Sequence, residues 1–123
     1  MRIFLTKWFS RWADKEGLSH GAIHNAVHEM EDGLIDAHLG GHVVKKRISV
    51  EGRGKSGGLR TILALKANER AFFLYGFAKN QRDNISETEL KVLKMLATHL
   101  LAYDHSTLVK AIAAQELIEV RHD

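Results

Sequence analysis

Residues 43–78 read VVKKRISV EGRGKSGG LRTILALK ANE RAFFLYGFA, and this stretch decides the fold. Three runs, 43–50, 59–66 and 70–78, are rich in β-branched and aromatic residues and predict strands. The link between the first two is glycine-dense and basic, and Asn68-Glu69 predicts a tight turn before the third. Links this short make the three strands an antiparallel meander. The third run, Ala71-Phe72-Phe73-Leu74-Tyr75, is apolar at successive positions, so both its faces are covered and it is central.

Outward from the meander the periodicity turns helical. Residues 2–5 predict a short edge strand. Thr6 caps a helix carrying Trp8, Phe9 and Trp12, and Gly17 stops it. Ser19 caps a second helix whose stripe is Ile23, Ala26, Val27, Met30 and Leu34, and Gly40-Gly41 breaks the chain. Beyond the meander, Ser86 and Glu89 have capping-box spacing before Leu90, Leu93, Ala97, Leu100 and Leu101, with Asn84 the alternative start. Asp104 or Ser106 opens a last helix with Leu108, Val109, Ile112 and Ala113. Val92 and Met95 lie off the main stripe of the long helix. The link at 103–106 is short, so the last helix is expected to fold back and cover them. The order β-αα-βββ-αα defines the α+β class, an antiparallel sheet packed by helices. One domain, 1–123, is expected, with 104–123 a C-terminal helical extension.

Composition excludes several classes of function. The 123 residues are 45% hydrophobic and 27% charged, as in folded soluble domains rather than disordered chains. There is no cysteine, which removes disulfides, thiol nucleophiles and cysteine zinc sites. No apolar run approaches the ~20 residues of a membrane-spanning helix. Arg2, Lys7 and Arg11 interrupt any apolar leader, so a cytoplasmic location is expected. His20, His24 and His28 recur every four residues, but they border a core stripe and read as surface histidines rather than metal ligands. No metal or other cofactor is expected.

The charge pattern points further. Net charge is only +3, yet residues 45–60 hold six basic residues (Lys45, Lys46, Arg47, Arg53, Lys55 and Arg60) against Glu51. Such a segment suits an anionic polymer, nucleic acid first. Residues 52–58 superficially evoke a phosphate loop, but a strand follows where a helix is required. Read as a loop over a nucleic-acid backbone, they offer Arg53, Lys55 and bare glycine N–H groups. Lys45 and Arg47 share one face of the first strand, Arg60 opens the second, and Lys79 follows the third. In a meander these ends converge into a cationic floor. Tyr75 and Phe77 would flank it with rings fit for base stacking, and Asn80 and Arg82 follow just beyond.

Four strings together carry a family resemblance: Met1-Arg2-Ile3-Phe4, Lys7-Trp8-Phe9, the segment 52–61 and Phe73-Leu74-Tyr75-Gly76-Phe77-Ala78-Lys79-Asn80. They resemble the RelE/HigB-like toxins of bacterial type II toxin–antitoxin systems, in particular a subgroup with a C-terminal helical extension, here ending Glu116-Leu117-Ile118-Glu119-Val120. The resemblance implies a curved antiparallel sheet and a metal-independent mRNA interferase that cuts mRNA on the ribosome. It also implies a cognate antitoxin, commonly of helix-turn-helix type. On that pattern Arg60 matches the strand arginine at the scissile phosphate. Lys45 and Arg47 match the preceding basic pair, and Lys79 or Asn80 a basic position after the last strand. Some relatives carry a tyrosine or histidine beyond that strand. Here Gln81-Arg82-Asp83-Asn84-Ile85 has neither, and the proton-transfer group stays open. Two alternatives share the fold: a non-catalytic RNA- or antitoxin-binding member, and a ParE-like gyrase inhibitor.

Overall fold

The computed structural model describes residues 1–50 and 58–121. The element order is β1 (Arg2–Thr6), α1 (Lys7–Glu16), α2 (His20–Glu31), β2 (Ala37–Gly40), β3 (Val43–Ile48), β4 (Leu59–Lys66), β5 (Arg70–Ala78), α3 (Glu87–Leu101), α4 (His105–Ala113) and β6 (Leu117–Val120). The six strands form one open sheet in the order β2-β3-β4-β5-β1-β6. The meander β3-β4-β5 is antiparallel, as its short links dictate. Asn68 makes the β4–β5 turn in the left-handed region, φ 66°.

Helices cover both faces. On one side Phe9 and Ala13 of α1 and Ile23, Ala26, Val27 and Met30 of α2 meet Ile3, Leu5, Leu63 and Phe73. On the other, Leu93, Ala97 and Leu100 of α3 and Leu108 and Ala111 of α4 meet Phe4, Ile62, Ala64, Phe72 and Leu74. This double cover explains why β5 is apolar at consecutive positions. The expected caps form: Thr6, Ser19 and Asp104 each accept a backbone N–H, and Ser86 closes a reciprocal capping box with Glu89.

Five expectations are corrected. β1 is not an edge strand. It lies between β5 and β6 and runs parallel to β5, so the sheet is mixed rather than antiparallel. Its run Ile3-Phe4-Leu5 is buried on both faces, which an edge strand on a one-sided sheet would not need. The C-terminal extension is only partly helical. The chain turns at Gln115, φ 60°, and residues Leu117–Val120 pair antiparallel with β1. Arg2 fastens this edge with two hydrogen bonds to the Glu119 carboxylate, 2.9 and 3.1 Å. Residues Ala37–Gly40 form a further strand, β2, and Gly40, Gly41 and His42 turn it into β3 at positive φ. Finally, α4 does not cover the off-stripe residues of α3: Val92 is 59% exposed and Met95 73%. Leu108 of α4 is instead spent on the Phe4 and Phe72 side of the sheet. Leu34, read as the end of the α2 stripe, lies past that helix and is exposed.

Candidate nucleic-acid interface

Strand register assembles the site. Arg47 pairs with Arg60, and Arg60 with Phe77, so one row of β3, β4 and β5 reads Arg-Arg-Phe. The adjacent row reads Lys45, Ile62, Tyr75. Paired residues share a face, so Lys45, Arg47, Arg60, Tyr75 and Phe77 all stand on the α3 side at one end of the sheet. The even spacing of Lys45 and Arg47 places them here, and it sends Lys46 to the opposite face.

The two buried cations of the described residues behave differently. Lys46, 6% exposed, is satisfied: its Nζ lies 3.0 Å from a Glu29 carboxylate oxygen and donates to the Leu34 carbonyl at 2.9 Å. It ties β3 to α2 and takes no part in the site. Arg60, 9% exposed, has a buried Nη1 with no hydrogen-bond partner among the described residues. Its register neighbours are another arginine and a phenylalanine, neither of which accepts a hydrogen bond. A buried guanidinium with unused donors is costly alone and is relieved by an anion, and its planar fork fits a phosphate.

The remaining predicted residues fall around this centre. Lys45 is half-buried and Arg47 exposed. Lys79 is exposed, and its backbone N–H faces the Gly58 carbonyl at 3.5 Å, which sets it at the Arg60 end of the sheet. Asn80 is exposed in the turn that follows. Arg53 and Lys55 lie outside the described residues. Arg82 is fully engaged. Its guanidinium sits 5.6 Å from the Phe77 ring centre, donates to the Tyr75 hydroxyl at 3.3 Å, to the Asn84 carbonyl at 3.0 Å and to both Glu89 oxygens. The Arg82 hydrogen bonds, seconded by Ser86, lower the Glu89 carboxyl from 4.5 to about 2. Arg82 therefore anchors Tyr75 and the start of α3.

Sequence reasoning missed two members. Trp8 was assigned to the apolar face of α1, yet it is 47% exposed and stacks on Tyr75, ring centres 4.7 Å apart at 23°. Trp12 lies against β5 where Gly76 leaves room, and a Cβ there would collide with the indole. A glycine inside an aromatic strand was the available signal for that close approach. Glu89 was read only as a cap, and nothing in its spacing marks the second bond to Arg82. Among the described residues, no three His, Asp or Glu side chains gather as a metal-holding group. No helix among them is long and apolar enough to cross a membrane.

Fold and site thus define a small α+β domain with a cationic, aromatic-rimmed sheet end around a buried arginine whose Nη1 has no partner among the described residues. Residues 1–120 match the family model described as the RelE toxin of the RelE/RelB toxin–antitoxin system, and the chain belongs to that family. Membership implies an antitoxin as its partner. No curated protein matches the chain.

Proposed function

We propose that this toxin is a ribosome-dependent mRNA endoribonuclease that arrests translation in the cytoplasm, held inactive by an antitoxin of helix-turn-helix type. The observation that carries the reading is the buried Nη1 of Arg60, without a partner among the described residues, on a cationic sheet face. In the reaction the ribose 2′ oxygen loses its proton and bonds the adjacent phosphorus. The 5′ oxygen of the next nucleotide leaves and takes up a proton, so the products are a 2′,3′-cyclic phosphate and a 5′-hydroxyl. Arg60 binds the phosphate and stabilises charge that grows on its oxygens in the transition state. Arg47 adds to that field. Lys45 and Lys79, the other cations at this end of the sheet, are assigned to moving the two protons. Tyr75, half-buried, stacks a flanking base. Phe77, expected to share that role, is 3% exposed beneath the Arg82 guanidinium and belongs to the core instead. The family assignment and the face shared by Lys45, Arg47 and Arg60 support this reading.

The test is a translating extract supplied with a defined mRNA. The wild-type chain yields fragments ending in a cyclic phosphate, and Arg60→Ala yields none. Intact mRNA with wild-type protein at full ribosome occupancy overturns the proposal in favour of a non-catalytic binding member.

A further inference from the structure

We infer that helix α1 carries a second contact for single-stranded RNA, in which Trp8 stacks an unpaired base and the cleft formed by Lys7, Arg11 and Arg121 takes the phosphodiester backbone beyond it. This rests on the RNA reading of the Arg60 face and extends it from Trp8, at the edge of that face, to a cleft that reading does not use.

The first support is Trp8 itself. α1 buries Phe9 and Ala13, which suffices to seat it on the sheet. Trp8 nevertheless keeps a large indole half in solvent, aligned with Tyr75 on one flank and 6.0 Å from Trp12 at 12°. An exposed tryptophan held in a fixed orientation by two other rings is a ready stacking platform. Through Tyr75 it is continuous with the row that holds Lys45.

The second support is charge on the other flank of the same helix. A cleft of about 440 Å³ between α1, α4 and β6 is lined by Lys7, Ser10, Arg11, Ile112, Glu119 and Arg121, among others. Its carboxylate, Glu119, is already held by Arg2 through both oxygens. Lys7, Arg11 and Arg121 form no salt bridge with a described residue, so three cations converge on one neutralised acid. Lys7 and Arg11 are one helical turn apart, about 6 Å along the axis, the order of one step in an extended strand. Lys7 lies about 100° round the helix from Trp8, so a strand with a base on the indole reaches the cleft by passing around the first turn of α1. An acidic peptide would use the cations but gains nothing from the ring stack, and this favours nucleic acid.

The experiment measures binding of a labelled, uncleavable 2′-O-methyl RNA to the full chain by fluorescence anisotropy. A dodecanucleotide long enough to cross α1 is compared with a tetranucleotide confined to the sheet end. With the dodecanucleotide, Trp8→Ala weakens binding by about ten-fold, the loss of one stacked base, while Trp8→Phe retains most of it. The triple variant Lys7→Ala, Arg11→Ala, Arg121→Ala flattens the slope of log affinity against log salt by about 2, since each single-strand phosphate contact contributes about 0.7. The tetranucleotide ignores the triple variant and responds to Arg60→Ala. All the altered α1 residues are exposed, so unchanged melting temperatures certify the fold. Wild-type affinity and slope for the dodecanucleotide in the α1 variants, with Arg60→Ala still weakened, overturn this inference alone. Indifference of both RNAs to Arg60→Ala overturns the site reading beneath it as well. Displacement of the dodecanucleotide by polyglutamate as effectively as by RNA of equal charge also overturns the stacking contact, leaving plain charge attraction.

Discussion

Arg60 and Lys46 are both lysine-or-arginine side chains buried in a β-sheet, and their partners separate their roles. Arg60→Ala removes a buried cation whose Nη1 has no acceptor among the described residues, so no hydrogen bond between described residues is lost at that atom. The expected outcome is an unchanged or slightly raised melting temperature with cleavage lost by about 10²–10³-fold, the effect of one preorganised charge-stabilising donor. Fragment yield in a translating extract, beside a thermal melt of the same preparation, checks both halves. Lys46→Ala does the reverse. It strips the Leu34 carbonyl and Glu29 of a donor at 2.9 and 3.0 Å and costs about 1–3 kcal/mol of stability. The rate per folded molecule stays unchanged, because Lys46 faces α2. At this scale the alternation of a strand made Lys45, Arg47 and Arg60 legible from sequence. The exposure of Trp8 was not legible, because a helical stripe records which residues are apolar and not which of them the sheet is wide enough to cover.

The contact between β5 and α1 and the start of α3 are the elements that hold the aromatic rim. Gly76→Ala places a methyl group inside the Trp12 ring. The indole must move, and the expected cost is about 1–3 kcal/mol, as for overpacking elsewhere. Denaturant titration measures it, and a variant as stable as wild type would show that α1 does not press on β5. At the start of α3, Arg82 and Ser86 hold the Glu89 carboxyl depressed, from 4.5 to about 2. A carboxyl lowered in the folded state stabilises it above the unfolded value and ceases to do so as pH falls through the folded one. The Glu89 contribution is therefore full above about pH 5 and disappears between there and about pH 2. Glu89→Gln is expected to be less stable than wild type at neutral pH and to converge on it in acid. Parallel curves over that range would remove the Arg82–Glu89 pair as the cause. The sequence displayed this cap through Ser86 and Glu89, since capping chemistry is local. β1 and β6 were misread for the opposite reason. Five- and four-residue strands carry too little pattern to reveal their partners, and β1 finds its neighbours β5 and β6 far along the chain.

The whole molecule separates its charges. Residues 1–85 hold 14 basic and 9 acidic residues, a net +5, and residues 86–123 hold 4 and 6, a net −2. The fold does not spread that excess evenly, because Lys46 and Arg82 are consumed by Glu29 and Glu89. What stays available at the sheet end, among the described residues, is Lys45, Arg47, Arg60 and Lys79. The far side of α3 is different in kind, with Val92 and Met95 in solvent. Their replacement by serine is expected to lower the melting temperature of the free chain only slightly, by the loss of helix propensity and of the buried part of Val92. The availability count also predicts how RNA affinity responds to salt. Four phosphate contacts at about 0.7 each predict a slope of log affinity against log salt near −3 for a pentanucleotide, which has four phosphodiesters, at the sheet end. Replacing Lys79 by alanine should bring that slope to about −2, while replacing Lys46 by methionine should leave it untouched, although both remove one positive charge. Titrations between about 50 and 200 mM salt decide the matter. Equal effects of the two substitutions would mean that RNA senses only net charge. The expected split means that it reads the particular cations which the register of β3, β4 and β5 leaves without a salt bridge to any described residue.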